Sequence, residues 1–353
     1  MKSLSQLITA LTLFTGFVLQ SSATVIVDDT WADGSRTNAP VSSSSALWYV
    51  NTSTDSTNVL RTTVGSMALT NAASSRLALG YFTTDPASPV SLAVGDALKL
   101  TLVFTPVGTL TNAPASSANN VRIGLYYTDP ANGGIRTNRD ISFIGASSAP
   151  GSGTGASGYL MGLNFATAFT RDTPIEFRAR TNVSSPNLMG STTGFYEQVG
   201  SSGPAGQMGL PAFAAGTTYT LAITITRYAT SNVLSATLNG GALNLAWSAT
   251  DPTHLSYTKF DTFAFRCVTA ADTADAFVFT DFKVETIPGG STTPIPLNAQ
   301  LSGGNIVLSW NNPVFALQSA ASVTGPYSTI AGATSPFSTN TSSARQFFRV
   351  RAD

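Results

Sequence analysis

The sequence predicts an all-β protein built around an antiparallel jelly-roll β-sandwich, and the pattern of residues 216–247 is the main reason. Apolar side chains occupy every second position from Tyr219 to Ile225 (YTLAITI), which is typical of a strand with one buried face. The same alternation returns in residues 234–238 and 243–247. The Asn-Gly-Gly between the last two strands accepts positive φ at little cost, which suits a chain reversal. Three successive antiparallel strands form a meander, which we expect at the centre of the sandwich.

Composition supports the all-β class and narrows the possible partners. The chain has 353 residues, enough for one large β domain and a small second one. Lysine occurs four times and glutamate three times, so the long side chains that favour helices are scarce. Charged residues make up 10% of the chain and the formal net charge is zero, so no basic surface for nucleic acid is expected.

The first 23 residues predict a secretory signal peptide. Lys2 supplies the positive charge, residues 4–19 are mostly apolar, and Ser-Ser-Ala at 21–23 fits a cleavage site. A membrane anchor is the alternative, but polar residues interrupt the apolar run and it is short for a span. No later stretch could cross a membrane as a helix, so the mature chain is expected to be secreted or on the cell surface, without a membrane span.

The remaining strands of the large domain follow from short β-branched or alternating segments between turns rich in Gly, Ser, Asn and Asp. They are predicted at residues 24–27, 46–50, 59–64, 66–69, 76–82, 98–104, 121–127, 159–165, 174–180, 260–268 and 276–287. Residues 145–158 have the composition of a flexible loop, and residues 182–215 form a long loop of the kind that is functional or mobile. Cys267 alternates with phenylalanines, which predicts a buried structural thiol.

A second, smaller β module is predicted at the C-terminal end. The large domain is expected to span residues 24–287, and the Pro/Gly/Ser/Thr-rich residues 288–294 read as a linker. The module then occupies residues 295–353, at the low end of domain size. Its strands are predicted at residues 305–310, 315–319, 327–330 and 346–350.

Three stretches of the large domain, TYTLAITITRYATSNVLSATLNG, FDTFAFR and FVFTDFKVE, resemble the concanavalin-A-like lectin/glucanase superfamily, which includes laminin-G-like modules. This resemblance implies a sandwich that binds a glycan or cleaves one. The C-terminal LSW, FALQSA, GPY and FFRVRA resemble fibronectin-III-like modules of secreted proteins from verrucomicrobial-type bacteria, which implies an accessory or surface role.

A polar sheet face is the best candidate for ligand binding. In IEFRAR at 175–180 and VRIGLYY at 121–127, apolar residues alternate with polar ones, so the polar side chains share one face. Aromatic rings stack on sugars, and arginine offers a planar set of donors to hydroxyls or carboxylates. We therefore expect an open ligand-binding face, unless it is only a solvated sheet surface with Arg–Glu pairs. Its members are Arg122, Tyr126, Glu176, Arg178 and Arg180.

An acidic cluster is the candidate metal site. Asp28 and Asp29 end the first strand, Asp33 follows, and Asp281 lies in the last strand of the large domain. Terminal strands of such sandwiches often lie side by side, and carboxylate oxygens would suit a structural calcium ion. We take Asp28, Asp29 and Asp281 as the possible ligands. Turn-forming aspartates explain the same residues without a metal.

Catalytic motifs are not evident in the sequence. Glycosidases of this superfamily use two nearby carboxylates, and the nearest pair here, Glu176 and Glu197, is separated by a loop. The only histidine, His254, lies in a turn-like segment and is expected to be a surface loop residue rather than a base.

Together these features predict a secreted, non-catalytic protein that binds an extracellular glycan or polysaccharide. A structural surface or matrix protein is one alternative, and a glycoside hydrolase or polysaccharide lyase with an unrecognised site is another.

Overall fold

The computed structural model describes eleven stretches of the chain, and these form two compact units that divide after Gly289. The described residues are 23–37, 41–51, 56–70, 76–110, 119–140, 153–189, 192–267, 274–289, 296–311, 315–340 and 346–352. The predicted signal peptide, apart from Ala23, and most of the predicted linker lie outside them, as do residues 145–152 of the predicted flexible loop.

The large unit contains seventeen described strands and two single-turn helical segments. The strands are β1 (Thr24–Asp29), β2 (Leu47–Val50), β3 (Leu60–Thr63), β4 (Ser66–Thr70), β5 (Arg76–Tyr81), β6 (Val90–Ser91), β7 (Ala97–Leu110), β8 (Val121–Thr128), β9 (Ala156–Leu163), β10 (Ile175–Arg180), β11 (Tyr196–Gly203), β12 (Tyr219–Arg227), β13 (Asn232–Gly240), β14 (Leu243–Asp251), β15 (Lys259–Phe260), β16 (Thr262–Cys267) and β17 (Ala274–Ile287). The helical segments are α1 (Ser56–Val59) and a 3₁₀ turn at Pro130–Asn132.

Two antiparallel sheets face each other, which confirms the predicted all-β sandwich. One has the order β14-β13-β12-β7-β17-β4-β3, with β1 also paired to β17. The other has the order β11-β10-β9-β8-β16-β5-β2. The predicted meander is present as β12, β13 and β14, hydrogen-bonded in that order, with Ile223 opposite Ala236 and Ala236 opposite Trp247.

One apolar core fills the space between the sheets, because both sheets present alternate side chains to it. Leu98, Leu100 and Leu102 on β7 are all 0% exposed, and Ile123 and Phe265 oppose them from the other sheet. Complete burial of one such side chain stabilises the fold by about 1.5–3 kcal/mol. Cys267 is buried in this core, as its alternation with phenylalanines predicts.

The long loop predicted at residues 182–215 contains a strand that the sequence pattern does not reveal. β11 (YEQVGSSG) pairs only with β10 and forms the edge of its sheet, so few of its side chains are buried. Trp247 of the opposite sheet lies against Gly203, where a Cβ atom would meet the indole at 2.3 Å. The contact with Trp247 requires a small residue at position 203. Because β11 lies at the edge of the sheet, its sequence lacks the apolar alternation that identifies a strand. β9 also begins at Ala156, inside the segment predicted to be loop.

The small unit is also all-β. Its strands are β18 (Asn298–Ser302), β19 (Asn305–Ser309), β20 (Phe315–Ala320), β21 (Ser328–Thr329), β22 (Phe337–Asn340) and β23 (Phe347–Ala352). They form two three-stranded sheets, β18-β19-β22 and β21-β20-β23, around a core of Leu308, Trp310, Phe315 and Leu317. β18 and β22 were not predicted, because their residues are exposed or only half-buried. A fibronectin-III-like relationship stays a prediction.

Among the described residues, no helix is long and apolar enough to cross a membrane.

We expect limited proteolysis to separate the two units before either unfolds. Each unit has its own core, so a cut in the predicted linker, residues 288–294, should leave both cores intact. Mass spectrometry of the early fragments should show two stable pieces divided in this stretch. A first cut within β12 would contradict the central position of the meander.

Candidate functional site

The five residues of the predicted binding face do lie on one surface, the outer face of the seven-stranded sheet. Arg122 on β8 is opposite Gly162 of β9, which in turn is opposite Glu176 of β10. Arg178 and Arg180 follow Glu176 at every second position, on the same side. The period-two alternation therefore predicts correctly which side chains share a surface.

This polar face is not open, however, and that part of the prediction is wrong. Residues 182–189, which we call the covering segment, lie over it. Leu188 and Met189 of this segment pack with Leu160, Tyr126 and Tyr196 in a second apolar cluster, separate from the central core. Arg180 and Tyr126 are 0% exposed, and Glu176 and Arg122 are 5% and 6% exposed. Only Arg178, with 21% of its side chain exposed, still reaches solvent appreciably.

Arg180 anchors the covering segment to the sheet. Its guanidinium donates to five backbone carbonyls at 2.7–3.1 Å, those of Gly153, Ala156, Ser185, Asn187 and Leu188. The ring of Tyr196 lies 5.5 Å from the guanidinium carbon, which adds a cation–π contact. A buried charge is tolerated only when its donors are paired, and here backbone carbonyls pair them. The side chain is thus engaged in holding the fold.

The other charged groups of the face are also paired internally. Glu176 Oε1 accepts from Arg178 Nε at 2.7 Å and from Asn119 Nδ2 at 2.6 Å. Arg122 donates to the carbonyls of Asn119 and Met189 and to the Asn119 side chain. Burial, and next the adjacent Arg266, lower the pKa of Arg122 to about 10. Burial also raises the pKa of the Tyr126 phenol.

The pair of glutamates considered as a glycosidase site is not brought together. Glu197 on β11 is in register with Ala179 of β10, whose side chain points into the sandwich. Glu176 is three residues from Ala179 and lies on the outer face. The two carboxylates therefore lie on opposite faces of one sheet, and a paired mechanism through them is not supported.

The three aspartates predicted to bind calcium do not lie together on one side of the sheet. Asp29 points inward, and its carboxylate accepts hydrogen bonds from the backbone of Trp31 and Ala46 and from the Trp48 indole at 2.9–3.0 Å. Asp28 and Asp281 lie together on the outside of the sheet, where burial and then the neighbouring Asp28 raise the pKa of Asp281. Among the described residues, no three His, Cys, Asp or Glu side chains converge as a metal site. The predicted set of three ligands does not fit, although a pair of carboxylates remains.

The structure contains an open surface groove that the sequence did not suggest. It has a volume of about 440 Å³, and we call it the hydroxyl groove. Five lining residues carry hydroxyls and five are apolar, and none carries an ionisable group. They are Ser42, Ser43, Thr83, Thr84 and Ser88, with Ile26, Val41, Phe82, Pro89 and Val90. They come from β1, from the segment before β2, from the connection between β5 and β6 and from the first residue of β6.

Three hydrogen bonds fix the walls of the hydroxyl groove. The Thr84 hydroxyl donates to the Val41 carbonyl at 3.4 Å, which links the two sides. Arg136 donates to both the carbonyl and the hydroxyl of Thr83 and forms a 2.9 Å ion pair with the fully buried Asp261. A buried ion pair beneath the groove therefore orients Thr83. No short sequence motif could have revealed this site, because its residues are scattered over some 65 positions.

Comparison with known proteins gives only distant likenesses. No family model matches the chain, and no curated protein matches it. Similar solved structures include the exoplasmic/lumenal domain of VIP36 in its Ca²⁺/Man-bound form, with 12% identity and a TM-score of 0.40 over 74% of this chain and 91% of that one. A Lotus tetragonolobus seed lectin (10% identity, TM-score 0.35) covers 68% and 92% respectively. Peanut lectin with a bound 9mer peptide (9%, 0.31) covers 69% and 98%. At such values these matches decide nothing about the ligand of this chain.

Replacement of Arg180 should destabilise the protein far more than replacement of Arg178. Arg180→Met removes all five carbonyl contacts from a buried position, which should cost on the order of 3 kcal/mol or more. Arg178→Ala breaks one partly exposed ion pair and should cost about 1 kcal/mol. Denaturant unfolding of both variants measures the difference. Equal, small effects would contradict the anchoring role of Arg180.

Asp281→Asn should raise the melting temperature at pH 7 by about 1–3 °C. The pKa of Asp281 is raised in the folded state, so the proton is bound more tightly there, and stability is lost as the pH rises through that pKa. Below about pH 3.9 the carboxyl is protonated in both states, and the gain should vanish. The test is to measure the melting temperatures of the unaltered protein and of Asp281→Asn between pH 3 and pH 7.

Asp28→Asn is the matched control, since it removes the neighbouring charge and should weaken the pH dependence of Asp281. If calcium instead stabilises the unaltered protein and Asp281→Asn abolishes that effect, the pair binds a cation.

Proposed function

We propose that this is a secreted or cell-surface, non-catalytic protein that binds an extracellular glycan or polysaccharide in the hydroxyl groove. The observation that carries the proposal is the composition of the groove: hydroxyls and apolar surface in equal number, with no ionisable side chain. A pyranose has the same two kinds of surface, hydroxyl edges and apolar C–H faces. Burying both kinds at once requires such a mixed lining.

The size and chemistry of the hydroxyl groove favour a short stretch of neutral sugar. A volume of about 440 Å³ falls in the usual range for small-ligand sites, roughly 300–1,000 Å³. A hydroxyl can donate one hydrogen bond and accept two, so it can pair with either role of a sugar hydroxyl. Without an acid or a base among the lining residues, the groove offers binding but no group for proton transfer.

Several hydroxyls of the groove have unused hydrogen-bonding capacity. Within the described part of the chain, the hydroxyls of Ser43 and Ser88 form no hydrogen bond, and both residues are exposed. Thr83 is held by Arg136, so its hydroxyl is already oriented before a ligand arrives. Preorganised polar groups lower the entropy lost on binding. Ile26 and Val90, which are only partly buried, provide apolar surface beside them.

A structural surface or matrix protein is the second candidate, and the closed polar face favours it. The covering segment packs on the polar face, so this face contributes to the stability of the fold and is not open to a ligand. The enzymatic alternative has no comparable support, because the two candidate glutamates lie on opposite faces.

A glycan array, followed by calorimetry on any ligand found, tests the proposal with two groove variants. Ser43→Ala removes one sugar-facing hydroxyl and should weaken binding about two- to tenfold, as expected for a loss of about 0.5–1.5 kcal/mol. Ser88→Trp fills the groove and should abolish binding. Neither exposed residue should shift the free energy of unfolding by more than about 0.5 kcal/mol.

Ser248→Ala and Ser248→Trp are the matched controls, since Ser248 is equally exposed on β14. They should bind like the unaltered chain. Loss of binding in Arg178→Ala, with both groove variants unaffected, would place the ligand on the polar face. Absence of any glycan ligand would favour the structural protein.

A further inference from the structure

A second polar cluster lies where the edges of the two sheets meet, away from the hydroxyl groove. Asp251 is the last residue of β14 in the eight-stranded sheet, and Glu197 lies on β11 in the seven-stranded sheet. His254, in the loop after β14, stands between them. Its Nδ1 is 3.0 Å from Asp251 Oδ2, and its Nε2 is 3.4 Å from Glu197 Oε1. The sequence predicted a surface loop residue, but only 13% of this side chain is exposed.

The orientation of the imidazole ring is fixed by its surroundings. Asp251 is 2% exposed and is itself held by Tyr159 Oη at 2.9 Å and by the backbone N–H groups of Thr253 and His254. The ring also stacks on Tyr257 at 4.9 Å. An ionised carboxylate can only accept hydrogen bonds. Nδ1 must therefore carry the ring proton and donate it in a hydrogen bond to Asp251 Oδ2. In the neutral ring, the free lone pair is therefore on Nε2.

The Nε2 atom lies 3.4 Å from another acceptor, Glu197 Oε1. Nε2 and Glu197 Oε1 can face each other favourably only when a cation lies between them, either a proton or a metal ion. Two ligands bound tetrahedrally to zinc at about 2.0–2.1 Å are separated by about 3.4 Å. The observed separation of 3.4 Å matches that spacing. Half of the Glu197 side chain is exposed, so water can reach the gap and complete the coordination.

From this geometry we infer that His254 Nε2 and Glu197 form a binding site for a borderline divalent transition-metal ion such as Zn²⁺, completed by water. Asp251 does not bind the metal ion. Its carboxylate accepts a hydrogen bond from Nδ1 and so orients the metal-binding imidazole. Imidazole nitrogen suits Zn²⁺, whereas Ca²⁺ and Mg²⁺ prefer oxygen ligands. With two protein ligands the ion exchanges readily. Because His254 follows β14 of one sheet and Glu197 lies on β11 of the other, a bound ion links the two sheets at this edge.

The test uses the mature chain without a histidine tag, because His254 is then the only histidine. Proton NMR follows the His254 Hε1 and Hδ2 signals while ZnCl₂ is added at pH 7.5. We expect a saturable shift of both signals and a higher melting temperature, with no shift on addition of CaCl₂. Glu197→Gln should weaken zinc binding by about tenfold or more, and Asp251→Asn by about 10–100-fold. Melting curves without metal show whether each variant is folded.

Glu285→Gln is the matched control, a glutamate on the outer face of the other sheet that should leave zinc binding unchanged. If millimolar Zn²⁺ leaves the His254 signals in place, only a proton bridges the two groups and the metal site does not exist. If zinc binds equally well to Glu197→Gln, the histidine binds it alone and the two-ligand site is wrong.

Discussion

The buried guanidinium of Arg180 is the constraint on which the arrangement of the seven-stranded sheet depends. A permanent charge with no exposed surface needs partners for all of its donors. The partners here are carbonyls from two separate segments, residues 153–156 and 185–188, which must fold back over the sheet to supply them. The backbone carbonyl of the same residue accepts a hydrogen bond from Tyr257, so the loop that carries His254 is tied to this strand as well.

This arrangement decides where a ligand can bind. A chain with so few charged residues places several of them inside, on the polar face and beneath the hydroxyl groove, where Arg136 and Asp261 form an ion pair. Each of these charges is paired with groups of the protein itself, which makes it part of the architecture. The hydroxyl groove, by contrast, is lined by serine and threonine hydroxyls and apolar side chains, with no ionisable group among its lining residues. A neutral polyhydroxylated ligand is the chemical counterpart of such a surface.

The sequence predicted those parts of the structure that repeat with a period of two. The meander, the inward leucines of β7 and the shared face of Arg122 and Arg178 all follow from strand alternation. The sequence does not show which segment covers a sheet face. Residues 182–189 have no periodic pattern, and their position depends on contacts made by Arg180. β11 was not predicted for the same reason. It is an edge strand next to Trp247, and few of its side chains are buried. The hydroxyl groove and the His254 cluster join residues distant in sequence, and only the pairing of the strands brings them together.

Hydrogen exchange of the Gly155 amide tests most directly whether the polar face is permanently closed. This amide donates to the Val183 carbonyl at 2.8 Å and so reports on the contact between the two segments that bind Arg180. If the covering segment is part of the folded core, Gly155 should exchange as slowly as Ile223 in the central meander, with a free energy of opening close to that of global unfolding. Exchange as fast as that of an unprotected peptide amide would show that the segment opens readily. The arginine face would then be accessible to a ligand, contrary to this account.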